Sequence, residues 1–110
     1  LSFSDEVPIA LFRSVFPAQR LPEMIAALRE TGSVTAAFAA HGIEDYTRAR
    51  TEITAKPADA TLAAQLRLSP GAPILRSVGV NVDAGGTALE YGRTWFAGDR
   101  VTLTLGADAL

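Results

Sequence analysis

A chain of 110 residues has the length of one domain, and its 48% hydrophobic and 20% charged residues are those of an ordinary globular protein. A formal charge of -2, with arginines scattered from Arg13 to Arg100, gives no basic stripe for nucleic acid. With no cysteine and one histidine, His41, there is neither a disulfide framework nor a thiolate or His-cluster metal site, and no run of about 18 apolar residues spans a membrane.

The absence of cysteine fits a reducing cytoplasm. The opening Leu1-Ser2-Phe3-Ser4-Asp5-Glu6 lacks a Met and the basic and apolar parts of a signal peptide, so it reads as the start of an excised fragment. Val7 to Phe16, apolar with β-branched and aromatic residues, predicts a strand stopped by Pro17. Leu21 to Glu30 predicts a helix, with Leu21, Met24, Ile25 and Leu28 as its apolar stripe, closed at Thr31-Gly32. Ser33 looks like the N-cap of a second helix, Val34 to Ala40, whose inner face carries Val34, Ala37, Phe38 and His41. His41 there suits a favourable charge at the helix C-terminus.

Asp45 to Ala55 alternates as a strand, with Tyr46, Arg48, Arg50, Glu52 and Thr54 on a conspicuously polar side. A third helix runs from Pro57 to about Leu66 with a Leu62, Ala63, Leu66 stripe, and Ser69-Pro70-Gly71 is a turn. Ile74 to Val82 and Ala88 to Phe96 form a hairpin around Asp83-Ala84-Gly85-Gly86, and Val101 to Leu105 alternates as a last strand. The order predicts an α+β fold, an antiparallel sheet with helices packed mainly on one face. Val7 to Phe16 also echoes Thr87 to Phe96 eighty positions on, with Arg13, Ser14 and Phe16 matching Arg93, Thr94 and Phe96. If the fold is a duplicated unit, the chain begins partway through the first copy.

The string Leu66-Arg67-Leu68-Ser69-Pro70-Gly71-Ala72-Pro73-Ile74-Leu75, with Leu89-Glu90-Tyr91-Gly92 and Phe96-Ala97-Gly98-Asp99-Arg100, resembles the UTRA domain of HutC-subfamily GntR transcription regulators. Phe16 to Pro22, Ser33 to Phe38 and Gly42 to Thr51 are most similar to the phosphonate-metabolism regulators of PhnF type. The resemblance covers nearly the whole chain. It implies a chorismate-lyase-like fold lacking its first strands, with residues 1–110 forming a single effector-binding domain. A winged-helix DNA-binding domain, absent from this chain, is implied upstream. It also implies a homodimer, a small anionic effector (phosphonate, phosphate ester or carboxylate), no membrane and no cofactor or metal.

Five residues are candidates for the effector site. Ser33 matches a family position with a pocket hydroxyl at a helix start, although a Ser there also simply caps its helix. Arg48 and Arg50 share one face of a strand and can offer planar forks to an anion, although Glu52 on the same face can pair with Arg50. Glu90 matches a position whose carboxylate bonds an effector hydroxyl or amino group, and Gly92 beside it leaves space. Phe96 stands where some sugar-phosphate-sensing relatives carry Tyr. Tyr91 and Trp95, on the opposite face, suit core or dimer contacts with Arg93 between them. Two other readings compete with a sensor: a chorismate-lyase-like enzyme using Arg48, Arg50 and Glu90, and a dimerisation module without ligand.

Overall fold

The computed structural model describes residues 1–106. Asp5 and Glu6 take φ values of 48° and 67°, the left-handed pair that lets a two-residue loop follow the twist of its strands. Ser2–Ser4 (β1) thereby folds back antiparallel on Val7–Val15 (β2), with Ser4 opposite Val7 and an irregularity between Ser2 and Phe3. The sequence offered no Asn-Gly or Asp-Gly signal at this turn, so β1 was not expected.

Met24–Thr31 (α1) and Val34–Ala40 (α2) follow, then Tyr46–Pro57 (β3), Ala60–Leu66 (α3), Pro73–Asp83 (β4) and Ala88–Ala97 (β5). The strands form one antiparallel sheet in the order β1-β2-β5-β4-β3. The two echoing segments are β2 and β5, neighbours in that sheet and each the second strand of a hairpin.

The chain packs as two compact units. One comprises Leu1–Phe12, Ile53–Ser77 and the chain from Thr94 on. Its core is the expected stripe of α3, Leu62, Ala63 and Leu66, with Ala58 and Ile74, against which Leu11, Leu68 and Trp95 pack. Asp59 rather than Pro57 starts α3: its Oδ1 accepts the Leu62 N–H at 2.8 Å, and Pro57 ends β3 instead. Arg100 closes this unit. Its Nη1 donates to Pro8 O (2.9 Å) and Leu66 O (2.6 Å), and its Nη2 to Arg67 O (2.8 Å). Arg67 sits in the left-handed region at the end of α3, beside the Leu66 and Arg67 carbonyls that share this guanidinium with Pro8.

The other unit comprises Arg13–Glu52 and Val78–Arg93. Phe38 is fully buried among Leu21, Met24, Ala27, Ala37 and Leu89, and meets Phe16 and Tyr46 edge to face. Of the expected stripe, Leu21, just ahead of α1, Met24 and Leu28 pack inward, whereas Ile25 is 59% exposed and Ala27 takes its place. The contact of α1 with α2 runs through two small residues, Ala27 and Ala37, which turns Ile25 outward. Helix α1 also starts three residues late, because Leu21 is held in a turn by the Pro17 carbonyl.

His41 stands at the C-terminal end of α2, where the sequence places it. Its Nδ1 bonds the Ala37 carbonyl at 2.8 Å, and its Nε2 accepts the Glu23 N–H at 3.3 Å. His41 thereby bridges the end of α2 and the start of α1.

Tyr91 is 39% exposed and lies under Arg93, whose guanidinium carbon stands 5.9 Å from the ring centre, whereas Trp95 packs on the α3 core. Val101 to Leu105 is not a strand, and Leu105 is exposed. Alternation there has no neighbouring strand to satisfy its backbone.

Candidate functional site

Four strands contribute polar side chains that join in one chain of hydrogen bonds, all within the second unit. Arg48 on β3 donates from Nε to Asn81 Oδ1 at 2.9 Å and from Nη1 to Thr51 Oγ1 at 3.2 Å. Asn81 on β4 donates from Nδ2 to Glu90 Oε1 on β5 at 2.8 Å. Ser14 on β2 donates to Glu90 Oε2 at 2.7 Å. Arg48, Asn81, Glu90 and Ser14 thus follow the order in which their strands lie in the sheet.

Alternation explains the convergence. On β5, Leu89 faces the α1–α2 core, so Glu90 faces away from it. On β4, Gly79 and Asn81 share one side, and both are buried. The Arg48 guanidinium lies where a Cβ of residue 79 would stand, so glycine is what admits it. Gly92, next on the face from Glu90, leaves the Ser14 hydroxyl and the Glu90 carboxylate uncrowded.

The charges in this chain are joined but not paired directly. Both Glu90 oxygens accept from neutral donors, Asn81 and Ser14. Among the described residues no carboxylate oxygen lies within 4.0 Å of the Arg48 guanidinium. A buried amide, 9% exposed and bonded at both ends, therefore fixes the guanidinium plane without neutralising it. The arginine keeps further N–H donors, and a planar fork held in this way is suited to a phosphonate, phosphate or carboxylate.

The structure therefore brings together two of the five expected residues, Arg48 and Glu90, and not the other three. Ser33 caps α2, its Oγ accepting the Ala36 N–H at 3.2 Å, and that helix is seven residues long. Arg50 pairs loosely with Glu52, Nε to Oε1 at 3.7 Å, with both side chains about two-thirds exposed (64% and 65%). Phe96 is half-buried on β5 and belongs to the first unit, whereas the other four belong to the second.

Sequence reasoning missed Asn81, Ser14 and the role of Gly79. Asn81 carried a signal: an asparagine among Val78, Val80 and Val82 is disfavoured in a strand unless a partner holds its amide. Ser14 carried none, since its meeting with Glu90 depends on β2 lying beside β5.

Two shallow, overlapping clefts open elsewhere in this unit, each of about 370 Å³. Both are bordered by Glu44, Asp45, Asp83 and Ala84, and one of them also by Arg20. None of the five expected residues lines either cleft. Three carboxylates beside one guanidinium make their rim acidic, the wrong sign for an anion. Asp83 organises the β4–β5 hairpin there. Its Oδ1 accepts the N–H groups of Gly85 and Thr87, each at 2.9 Å, and its Oδ2 pairs with Arg20. The Thr87 N–H, ahead of Arg20, holds this carboxyl below its ordinary value.

Known proteins match this chain over nearly its whole length. A family model described as the UTRA domain matches residues 1–102. The HTH-type transcriptional regulator RB1450 of Rhizobium meliloti strain 1021 is 45% identical over 105 residues, which cover 96% of this chain and 43% of that protein. The chain thus spans less than half the length of this relative. The solved effector domain of PhnF from Mycobacterium smegmatis is 33% identical with a TM-score of 0.77, covering 94% of this chain and 64% of that one. A GntR-family regulator from Enterococcus faecalis V583, at 24% identity and a TM-score of 0.78 over 96% of this chain and 75% of that one, shares the fold. These relatives are transcription regulators and not enzymes. With that match and the five-stranded antiparallel sheet carrying three helices, the chain belongs to the UTRA domain family.

Proposed function

We propose that this chain is the effector-sensing and dimerisation domain of a GntR/HutC-type regulator, and that Arg48 receives a small anion. The observation that carries the reading is a guanidinium oriented by Asn81 and lodged over Gly79, with no carboxylate beside it among the described residues. Glu90, at the far side of Asn81, is placed to accept from a hydroxyl or amino group of the same effector. The 33% identity to the PhnF effector domain favours a phosphonate or phosphate ester over a carboxylate, and regulation of phosphonate uptake or degradation genes. DNA is contacted through a winged-helix domain of the full-length protein, which acts as a homodimer in the cytoplasm. In keeping with this, no helix among the described residues is long and apolar enough to cross a membrane.

The regulation is one of linkage. The effector favours one arrangement of the dimer over another, by about 1–3 kcal/mol in systems of this kind, and so alters the spacing of the DNA-binding heads. Thermal-shift titration of the purified protein with phosphate, alkylphosphonates, aminoalkylphosphonates and sugar phosphates tests the reading. At a hundredfold excess over Kd a ligand stabilises by about 2.7 kcal/mol, a rise on the order of 10 °C for a domain of this size. Arg48→Ala abolishes the rise with ligand in a variant that remains folded; an unchanged affinity in that variant contradicts the assignment.

A further inference from the structure

Two glycines lie within the strands, Gly79 on β4 and Gly92 on β5, and neither has a positive φ. A glycine inside a strand weakens it, and it commonly marks a bend, a bulge or a place where another group approaches the backbone. At Gly79 that group is the Arg48 guanidinium. At Gly92 no such group is present among the described residues. A Cβ there would meet its nearest neighbours at 3.8–3.9 Å, an ordinary contact distance, so neither backbone conformation nor crowding calls for glycine.

The three atoms nearest to that position are all oxygens: Ser14 Oγ at 3.8 Å, Glu90 Oε2 at 3.9 Å and Gly79 O at 3.9 Å. They come from β2, β5 and β4, which lie side by side in the sheet. Together they make a notch that offers acceptors and no free donor. The one proton of the Ser14 hydroxyl is already donated to Glu90 Oε2, and neither an ionised carboxylate nor a carbonyl has a proton to give. The notch is also negative. Among the described residues no cation lies within 4.0 Å of the Glu90 carboxylate, and its partners Asn81 and Ser14 are neutral.

A group that suits such a notch donates in several directions and carries positive charge. A primary ammonium does both, with three N–H donors and no lone pair to leave unmatched. A hydroxyl donates once and brings lone pairs that find no donor here, and a methyl group leaves all three oxygens unanswered. Gly79 also fixes how the notch relates to the anion site. The Arg48 guanidinium occupies its Cβ position, and its carbonyl forms one wall of the notch. A cationic and an anionic receptor thus meet at one residue, within reach of the two ends of a single short molecule.

We infer that Gly92 opens an ammonium subsite walled by Ser14, Glu90 and Gly79, and that the effector is a zwitterion, a short aliphatic amine carrying a phosphonate or phosphate. This rests on the anion site proposed at Arg48 and adds the other end of the ligand.

Calorimetric titration with three phosphonates of similar size tests the subsite: aminoethyl-, hydroxyethyl- and propylphosphonate, which end in an ammonium, a hydroxyl and a methyl group. Aminoethylphosphonate binds roughly tenfold or more tightly than either of the others, because ammonium–carboxylate hydrogen bonds are charge-assisted and the analogues leave acceptors unpaired. Gly92→Ala puts a methyl group in the notch at ordinary contact distances, so it folds as the parent does by circular dichroism, and it removes the preference. Glu90→Gln, of equal size but neutral, lowers the preference as well. Equal affinity of the parent for the three ligands, or a preference that survives in Gly92→Ala, overturns the ammonium subsite. Methylphosphonate and inorganic phosphate carry no amine and report on Arg48 alone. If they bind and the preference is missing, only the subsite fails; if none of these compounds binds, the reading of Arg48 fails and the subsite with it.

Discussion

A methyl group added at Gly79 would overlap the Arg48 guanidinium, and the atoms it meets within 4 Å first are all in that flexible side chain. Gly79→Ala therefore leaves the fold within about 1 kcal/mol of the parent, as measured by chemical denaturation, because only a side-chain end has to move. Affinity for a phosphonate falls tenfold or more, since a charged hydrogen bond of about 1.5–3 kcal/mol is lost with the displaced fork. A binding loss without a stability loss separates an effector site from a structural ion pair. Arg48, on a polar strand face, and Glu90, a lone carboxylate among small residues, were expected near one another only through the family resemblance, and the structure joins them through Asn81. Asn81 itself was not legible, because its role exists only once β3 and β5 flank β4. Ser33 and Arg50 show the converse: each had a bland local partner within three residues, and the structure places each with that partner.

Elements here are fixed by single polar residues at their ends. Arg100 binds three carbonyls from the segments around β2 and α3, and Arg100→Ala leaves these acceptors without their charged donor. The expected loss is about 2–3 kcal/mol of unfolding free energy, read from denaturant curves, and lysine does not restore it because one ammonium cannot reproduce the fork. At the β4–β5 hairpin, the Thr87 N–H and then Arg20 lower the Asp83 pKa from its ordinary 3.8. A depressed carboxylate contributes stability that is complete above the ordinary value and is lost as pH falls through the folded one. Asp83→Asn is accordingly less stable than the parent near neutral pH, and the difference closes below about pH 3.8. Melting temperatures followed from about neutral pH down to about pH 2 check this, and a constant difference across that range contradicts it.

Helix α3 and the β4–β5 hairpin were readable because their stripe and turn residues are local signals. The polar Ser4-Asp5-Glu6 segment reads as a turn and is one, but strand β1 ahead of it was not legible, since three residues carry too little pattern. The alternation of Val101, Leu103 and Leu105 misled, because alternation describes a strand only where another strand is beside it.

For the molecule, chain order and periodicity were enough to give an antiparallel α+β sheet with three helices, and the family model and solved relatives agree. Sheet order was not legible, and the polar chain from Arg48 to Ser14 depends on it. Because the proposed effector favours one arrangement of the dimer, occupancy of the site and the state of the dimer are expected to be coupled. If so, a saturating phosphonate shifts the dimerisation constant measured by sedimentation, and the dimer in turn shifts phosphonate affinity by the same factor.

Calorimetric titration of methylphosphonate and inorganic phosphate into the parent protein, Gly79→Ala and Arg48→Ala is the most direct measurement. The account predicts saturable binding to the parent that weakens tenfold or more in both variants, each of which remains folded by circular dichroism. Equal binding to all three would place the anion away from Arg48 and contradict it.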